Sequence, residues 1–300
     1  MDLDWLDDFL ALAAIQSFSR AAEARHVTQP AFSRRIQLME KWVGTPLFHR
    51  YPRRIVLTPA GERFLALVDM IPRDLRQARS EALEAAGRSA KALTIAATHA
   101  LSFTFFPQWA RRTIEVAQIG ALNLLSDNMA ACEEMMLKGE ASFLLCHRHD
   151  ADVGRLQGRQ FHYHRVGQDV LVPLVAPDDR GAPLWRADAD RNAPPVPYLE
   201  YAPQSGLGRI LAADWQQRGF ALNLNTAMTA RLAAALLTLA KDKRGIAWLP
   251  LSLAAESLDQ GSLVRASDDE AMTTPVEIVL YRPAARLGVS AETFWRTVTG

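Results

Sequence analysis

A chain of 300 residues has room for more than one core, since domains usually hold about 100 to 200 residues, and its 49% hydrophobic and 22% charged residues are ordinary for a soluble protein. No apolar run approaches the roughly 20 residues of a membrane span, and the acidic opening MDLDWLDDFLALAA lacks the basic start of a secretory signal, so a cytoplasmic protein is expected. The net charge of +1 selects no partner, and two cysteines, Cys132 and Cys146, are too few for a disulfide framework or a thiolate zinc cluster.

Charge is unevenly spread. From Arg20 to Thr58 eight basic residues stand against two acids, a formal +6 that suits a polyanion. Ahead of this stretch, Leu3, Leu6, Phe9, Leu10, Ala13 and Ala14 recur at helical spacing and predict a first helix over 3–15. Ser19 is a candidate N-cap for a second helix over 20–25, with Ala21, Ala22 and Ala24 small enough for close packing. His26 and Val27 make a turn. Thr28 is the next candidate N-cap, and Pro30 falls in the first turn, where a missing N–H has no intrahelical acceptor to lose. This third helix is expected to run to about Trp42, with Ala31, Phe32, Ile36 and Met39 inward and Gln29, Ser33, Arg34 and Gln37 outward. Such outward side chains can meet phosphates and base edges, although a solvated helical face has the same composition.

Two short helices joined by a tight turn form a helix-turn-helix whose second member enters the major groove. Next come a turn at Gly44–Pro46, the apolar pair Leu47–Phe48, a basic loop from Arg50 to Arg54, a strand Ile55–Leu57, and a helix opened by Thr58–Pro59. This order describes a wing whose arginines straddle the backbone or enter the minor groove. The stretch FSRAAEARHVTQPAFSRRIQLMEKWVGTPLFHRYPRRIVLTPAGE closely resembles the winged helix-turn-helix of LysR-type transcriptional regulators. The resemblance implies that Thr28, Gln29, Pro30, Ser33, Arg34 and Gln37 belong to the recognition helix, and that Arg50, Arg53 and Arg54 lie in or beside the wing. It also implies double-stranded operator DNA as a partner, a small-molecule effector or oxidant as signal, contact with RNA polymerase, no membrane, no cofactor, and a homodimer or homotetramer.

Phe64, Leu67, Ile71, Leu75, Ala78 and Ala82 put an apolar stripe on an otherwise charged helix over 62–85, and such a stripe needs a partner helix. In the family the equivalent helix pairs two chains. Pro72 interrupts it and predicts a bend; two shorter helices packing within one chain are the alternative. GRSAK at 87–91 reads as a linker, which gives domains at 1–60, 61–90 and 91–300.

Beyond it strands are expected at 92–97, 119–125, 142–147, 161–166, 169–175, 196–201, 222–225, 245–249 and 275–281. Helices are expected up to Thr113, at 128–139, 205–218 and 228–241. This alternation predicts α/β layers with mainly parallel sheets. The resemblance implies a regulatory region like a periplasmic binding protein, with subdomains at about 91–166 plus 270–300 and 167–269. The chain would cross between them near Val166–Val170 and return near Val264–Pro275. Effector residues belong where strands end and helices begin, because free N–H groups there hold anions or polar groups. The candidates are Thr98, His99 and Ser102, then Gln204, Ser205 and Gly206, then Thr226, Met228 and Thr229 ahead of the helix expected at 228. No arginine stands at these positions, so a dicarboxylate is not singled out.

WLDDFLALAAIQSFSRAAEARHVTQPAFSRRI, AATHALSF and RGIAWLP also look like the hypochlorite-responsive branch of the family, in which methionine oxidation is linked to activation. Met129, Met135, Met136 and Met228 lie in the regulatory part, Met228 at a cleft loop. Oxidation would turn a flexible apolar side chain polar, whereas unoxidised methionines simply fill core gaps. Leu207 stands where another redox-linked methionine is expected, which departs from that branch. An enzyme is not expected, because the chain has no G-x-S-x-G, H-E-x-x-H or P-loop lysine motif. HRHD and FHYHR hold histidines at spacings a metal could use, leaving a metal- or solute-binding module as the alternative.

Overall fold

The computed structural model describes residues 2–51, 54–68, 71, 74, 75, 78, 79, 82, 86, 93–117, 121–152, 154–156, 160–188, 193–220 and 222–300. Pro72 and the 87–91 segment lie outside these residues. The chain divides into two compact units, Met1–Ala86 with Leu137–Gly139, and Gly87–Met136 with Glu140–Gly300.

In the first unit α1 (Leu3–Ile15) starts from Asp2, whose carboxylate accepts the Asp4 N–H. The second helix, α2 (Phe18–Ala24), begins earlier than expected, with Ser17 and not Ser19 as N-cap. The earlier start places Phe18 edge-on against Phe32, with ring centroids 6.0 Å apart. Thr28 precedes α3 (Gln29–Val43), but it caps through its carbonyl, which takes the Phe32 N–H, and not through its hydroxyl. Gly44 ends α3 at a left-handed φ of 88°, a conformation that glycine adopts without steric cost. Leu6, Phe9 and Leu12 meet Ala21, Ala22, Phe32, Ile36 and Met39 in one buried cluster with Leu47 and Phe48. Each large apolar side chain there stabilises the unit by about 1.5–3 kcal/mol. Ala31, expected inside, is exposed beside Arg34, one turn away on the outer face.

The wing is a two-stranded hairpin, β1 (Phe48–Tyr51) antiparallel to β2 (Arg54–Leu57). Arg50 and Arg54 therefore sit on strands and not in the expected loop. Glu40 ties α3 to the wing by accepting the N–H groups of Leu47 and Phe48 at 2.9 and 3.2 Å. Thr58 opens α4 (Pro59–Val68), its hydroxyl accepting the Gly61 N–H and donating to the Pro46 carbonyl.

The second unit runs in chain order β3 (Leu93–Thr98), α5 (His99–Thr104), α6 (Phe106–Ala117), β4 (Leu122–Asp127), α7 (Met129–Lys138), β5 (Phe143–Arg148), β6 (Phe161–Val175) and β7 (Val196–Tyr201). It continues through α8 (Gly206–Arg218), β8 (Leu224–Ala230), α9 (Ala233–Lys241), β9 (Ala247–Pro250), α10 (Leu251–Asp259), β10 (Val264–Arg265), β11 (Thr274–Pro283) and α11 (Val289–Thr299). β3 pairs in parallel with β4 and β5, and β7 with β8. β6 and β11 run antiparallel along their whole shared length, and β9 and β10 join the far half of β6, also antiparallel. The sheets are thus mixed and not mainly parallel, because two long strands traverse the unit in opposite directions.

Two separate cores form. One gathers Leu93, Ile95, Phe143, Leu145, Ile278 and Phe294, the other Leu171, Leu174, Leu199, Ile210, Leu236 and Trp248. Among the described residues β6 and β11 are the strands that pass from one core to the other, defining two lobes. β6 is one strand where two were expected. Gly167 does not break it but lets it pass close to Phe105, whose ring would lie 2.8 Å from an added Cβ. The return crossing is β11, which starts at Thr274 and so only overlaps the end of the expected 264–275 segment; the rest of that segment holds the two-residue β10 and a 3-10 turn at Glu270–Met272.

Candidate DNA-reading surface and regulatory cleft

On the first unit Thr28, just ahead of α3, and Gln29, Pro30, Arg34 and Gln37 along its first nine residues are exposed, and Ser33 is partly so. The Ser19 hydroxyl donates to Gln29 Oε1 at 3.2 Å, which leaves the Gln29 amide N–H groups to point outward as donors. Arg50 reaches Glu40 at 3.4 Å and stacks over Phe18, while Arg54 stacks over Tyr51. Arg53 lies outside the described residues. Arg20, which sequence reasoning counted only in the charge total, is exposed at the start of α2.

The basic stretch does not offer its whole charge to a ligand. Arg25 and Arg35 turn onto the fully buried Asp8 at 2.8 and 3.3 Å, with Asp4 and Asp7 within 3.8 Å of their guanidinium groups. The acidic face of α1 thus neutralises two arginines, and the cations left for a phosphate backbone lie toward α3 and the wing.

In the second unit a cavity of about 40 Å³ opens between the lobes, room for one or two waters. Thr98, His99 and Ala100 line it from the β3–α5 junction, and Asp127, Asn128 and Met129 from the β4–α7 junction. Ser205, Gly206 and Leu207 line it at the start of α8, Arg231, Leu232 and Ala233 at the start of α9, and His147 from β5. The starts of α7, α8 and α9 bring unpaired N–H groups and the positive ends of their dipoles to one place. Asn128 Oδ1 accepts the Ala131 N–H at 3.1 Å, and the Ser205 hydroxyl caps α8.

Of the expected effector residues, Thr98, His99, Ser205 and Gly206 line the cavity. His99 is the first residue of α5 and not part of a loop, and its Nδ1 lies 3.1 Å from the Ser126 hydroxyl. Ser102 is buried one turn further on, its hydroxyl between the Thr98 carbonyl and Ser126. Gln204 is exposed and not among the lining residues. Thr226, Met228 and Thr229 are not there either. The helix expected at 228 begins at Ala233, because the chain pairs in parallel with β7 as far as Ala230, leaving these three side chains exposed on β8.

The cavity also holds residues that sequence reasoning missed: Asp127, Asn128, His147 and Arg231. Arg231 corrects the expectation that no arginine stands there. Asp-Asn ahead of a helical stretch is a capping signal that could have located two of them. His147 has a buried side chain whose Nε2 lies 3.6 Å from Asp169 Oδ2 and makes no hydrogen bond. Burial works to raise the Asp169 carboxyl, but His147, the Ser252 hydroxyl and the Val170 N–H together hold it below the usual carboxylate range. His149 faces Asp214 at 3.9 Å, so the two histidines of HRHD meet separate carboxylates. No group of three metal-ligating side chains occurs among the described residues.

Both parts match known families. Residues 3–62 match the bacterial regulatory helix-turn-helix protein of the lysR family, and residues 86–300 match the LysR substrate binding domain. The chain belongs to the LysR family. It is thus a DNA-binding transcriptional regulator with an effector-binding domain, and LysR-family members are regulators, not enzymes. The HTH-type transcriptional regulator YjiE of Escherichia coli strain K12 is 29% identical over 306 residues, covering 99% of this chain and 93% of that protein. The full-length structure of HypT from Salmonella typhimurium, a hypochlorite-specific LysR-type regulator, is 30% identical with a TM-score of 0.58, covering 99% and 96% of the two chains. The Vibrio fischeri LysR-type regulator DarR, solved in complex with DNA, is 28% identical with a TM-score of 0.57, covering 99% and 98%. No helix among the described residues is long and apolar enough to cross a membrane.

Proposed function

We propose that this LysR-family regulator works as a homo-oligomer in which a signal received between the two lobes changes the spacing of paired DNA-reading heads. In this reading residues 1–60 form the head, 61–90 pair two copies and 91–300 receive the signal. Gln29, Pro30, Ser33, Arg34 and Gln37 face the major groove, with Arg50, Arg53 and Arg54 at the backbone. Leu67, Ile71 and Leu75 support the pairing, since they are 65%, 41% and 47% exposed along one stripe. The observation that carries the signal site is the meeting of three helix starts, Arg231 and a buried histidine at one cavity, an arrangement that favours a small polar or anionic ligand.

A second reading is oxidation, supported by the likeness to HypT and by two methionines. Met129 lines the cavity and Met228 is 44% exposed on β8, open to a small oxidant. A sulfoxide at either place adds a polar group where an apolar one packed or lay ready to pack. The deciding experiment titrates the protein against its own upstream intergenic DNA before and after mild hypochlorite, then after methionine sulfoxide reductase. A footprint changed by the oxidant and restored by the reductase selects oxidation. An unchanged footprint leaves a cavity ligand as the signal, and failure to bind any such DNA overturns the operator reading.

A further inference from the structure

We propose that Glu133 and Arg209 form a latch that holds the two lobes together beside the cavity, an inference that rests on reading that cavity as the signal site. Glu133, on α7, is a fully buried carboxylate. Arg209, on α8 of the opposite lobe, reaches across to it with Nη1 3.3 Å from Oε2 and Nη2 3.2 Å from Oε1. The Arg155 N–H donates to Oε1 at 3.1 Å, and Asp152 stands 3.6 Å from Arg209, so one lobe builds an acidic socket that Arg209 of the other enters.

The contact has the chemistry of a two-position device. While Arg209 is seated, the Glu133 charge is compensated. Withdrawing the arginine alone would leave a buried, unpaired carboxylate, which is strongly unfavourable, so the lobes part only far enough to let water reach it or not at all. Seating is incomplete even so, for Arg209 Nε is buried without a partner. Just beside the bridge Gly206 lets α8 approach α7, since a Cβ there would lie 2.9 Å from the Met129 Cβ. Met129 and Gly206 line the cavity one turn from Glu133 and Arg209, so a ligand that pushes α7 and α8 apart strains the bridge.

Hydrogen–deuterium exchange on the full chain tests this. In Glu133→Gln and in Arg209→Gln the hydrogen-bonded amides from the second turns of α7 and α8 onward are expected to exchange at least about tenfold faster, with β5, β11 and the head unchanged. Gly206→Ala should do the same without touching the ion pair, and it keeps the test alive if Glu133→Gln does not fold. Unchanged exchange in Arg209→Gln and Gly206→Ala overturns the latch, and so does faster exchange spread through β5 and β11, the mark of an ordinary structural pair. Local opening with an operator footprint unaltered in these variants and in Arg231→Ala supports the latch while removing the cavity as signal site.

Discussion

Asp8 has no exposed surface and sits between two guanidinium groups, so its substitution removes a buried charge that both arginines depend on. Because Arg25 and Arg35 are 28% and 31% exposed, water relieves part of the loss. Asp8→Asn should lower the stability of the first unit by about 2–3 kcal/mol, read as a fall in its thermal midpoint. Arg34→Ala should leave that midpoint alone and weaken operator binding at least about tenfold in fluorescence anisotropy, more on the operator than on random DNA if it reads a base. Glu292 offers a test by pH. Hydrogen bonds from Arg282 hold its carboxyl below the ordinary 4.5, with burial opposing and the Leu287 N–H assisting. A depressed folded value means the stabilisation is complete above about pH 4.5 and is lost as pH falls through the folded pKa. Urea midpoints measured from about pH 6 down to pH 3 should drop, and Glu292→Gln should flatten that part of the drop.

Elements differ in how openly the sequence declares them. The helical spacing of Leu6, Phe9 and Phe32, the proline in the first turn of α3 and the glycine at its end are local signals, and the structure follows them closely. β8 had none. Thr226 to Ala230 is a run of threonines, alanines and one methionine that suits helix and strand alike, and only pairing with β7 settles it. The cavity was half legible for the same reason. Thr98, Ser205 and Gly206 stand where strand patterns stop, whereas Arg231 depends on the true start of α9, and His147 on which way β5 faces. Gly61 shows a constraint of packing that no pattern announces, since an added Cβ would lie 2.1 Å from the Leu47 carbonyl oxygen, between the wing and α4. Gly61→Ala should therefore cost the first unit about 1–3 kcal/mol in a denaturant titration, although alanine is the better helix former.

At the scale of the whole molecule, binding to DNA should fall steeply with salt, because arginines that neutralise phosphates release counterions. Arg54→Ala should weaken every sequence about equally and lower the slope of log K against log salt by about 1. Placing glutamate at both Leu67 and Leu75 should shift sedimentation toward the single chain and weaken binding to a two-half-site operator far more than to one half-site. The second unit carries a different consequence. Its lobes hang on a ribbon of two strands, β6 and β11, whose ladder slips by one residue between Ile278 and Val279, next to Gly167. Such a ribbon resists stretching and bending within its plane, because the hydrogen bonds and backbone bonds oppose both, but it yields readily to torsion about its long axis. In the proposed reading of the cavity, lobe motion is therefore taken up by torsion and out-of-plane bending of that ribbon, with the Glu133–Arg209 pair as the second tie between the lobes.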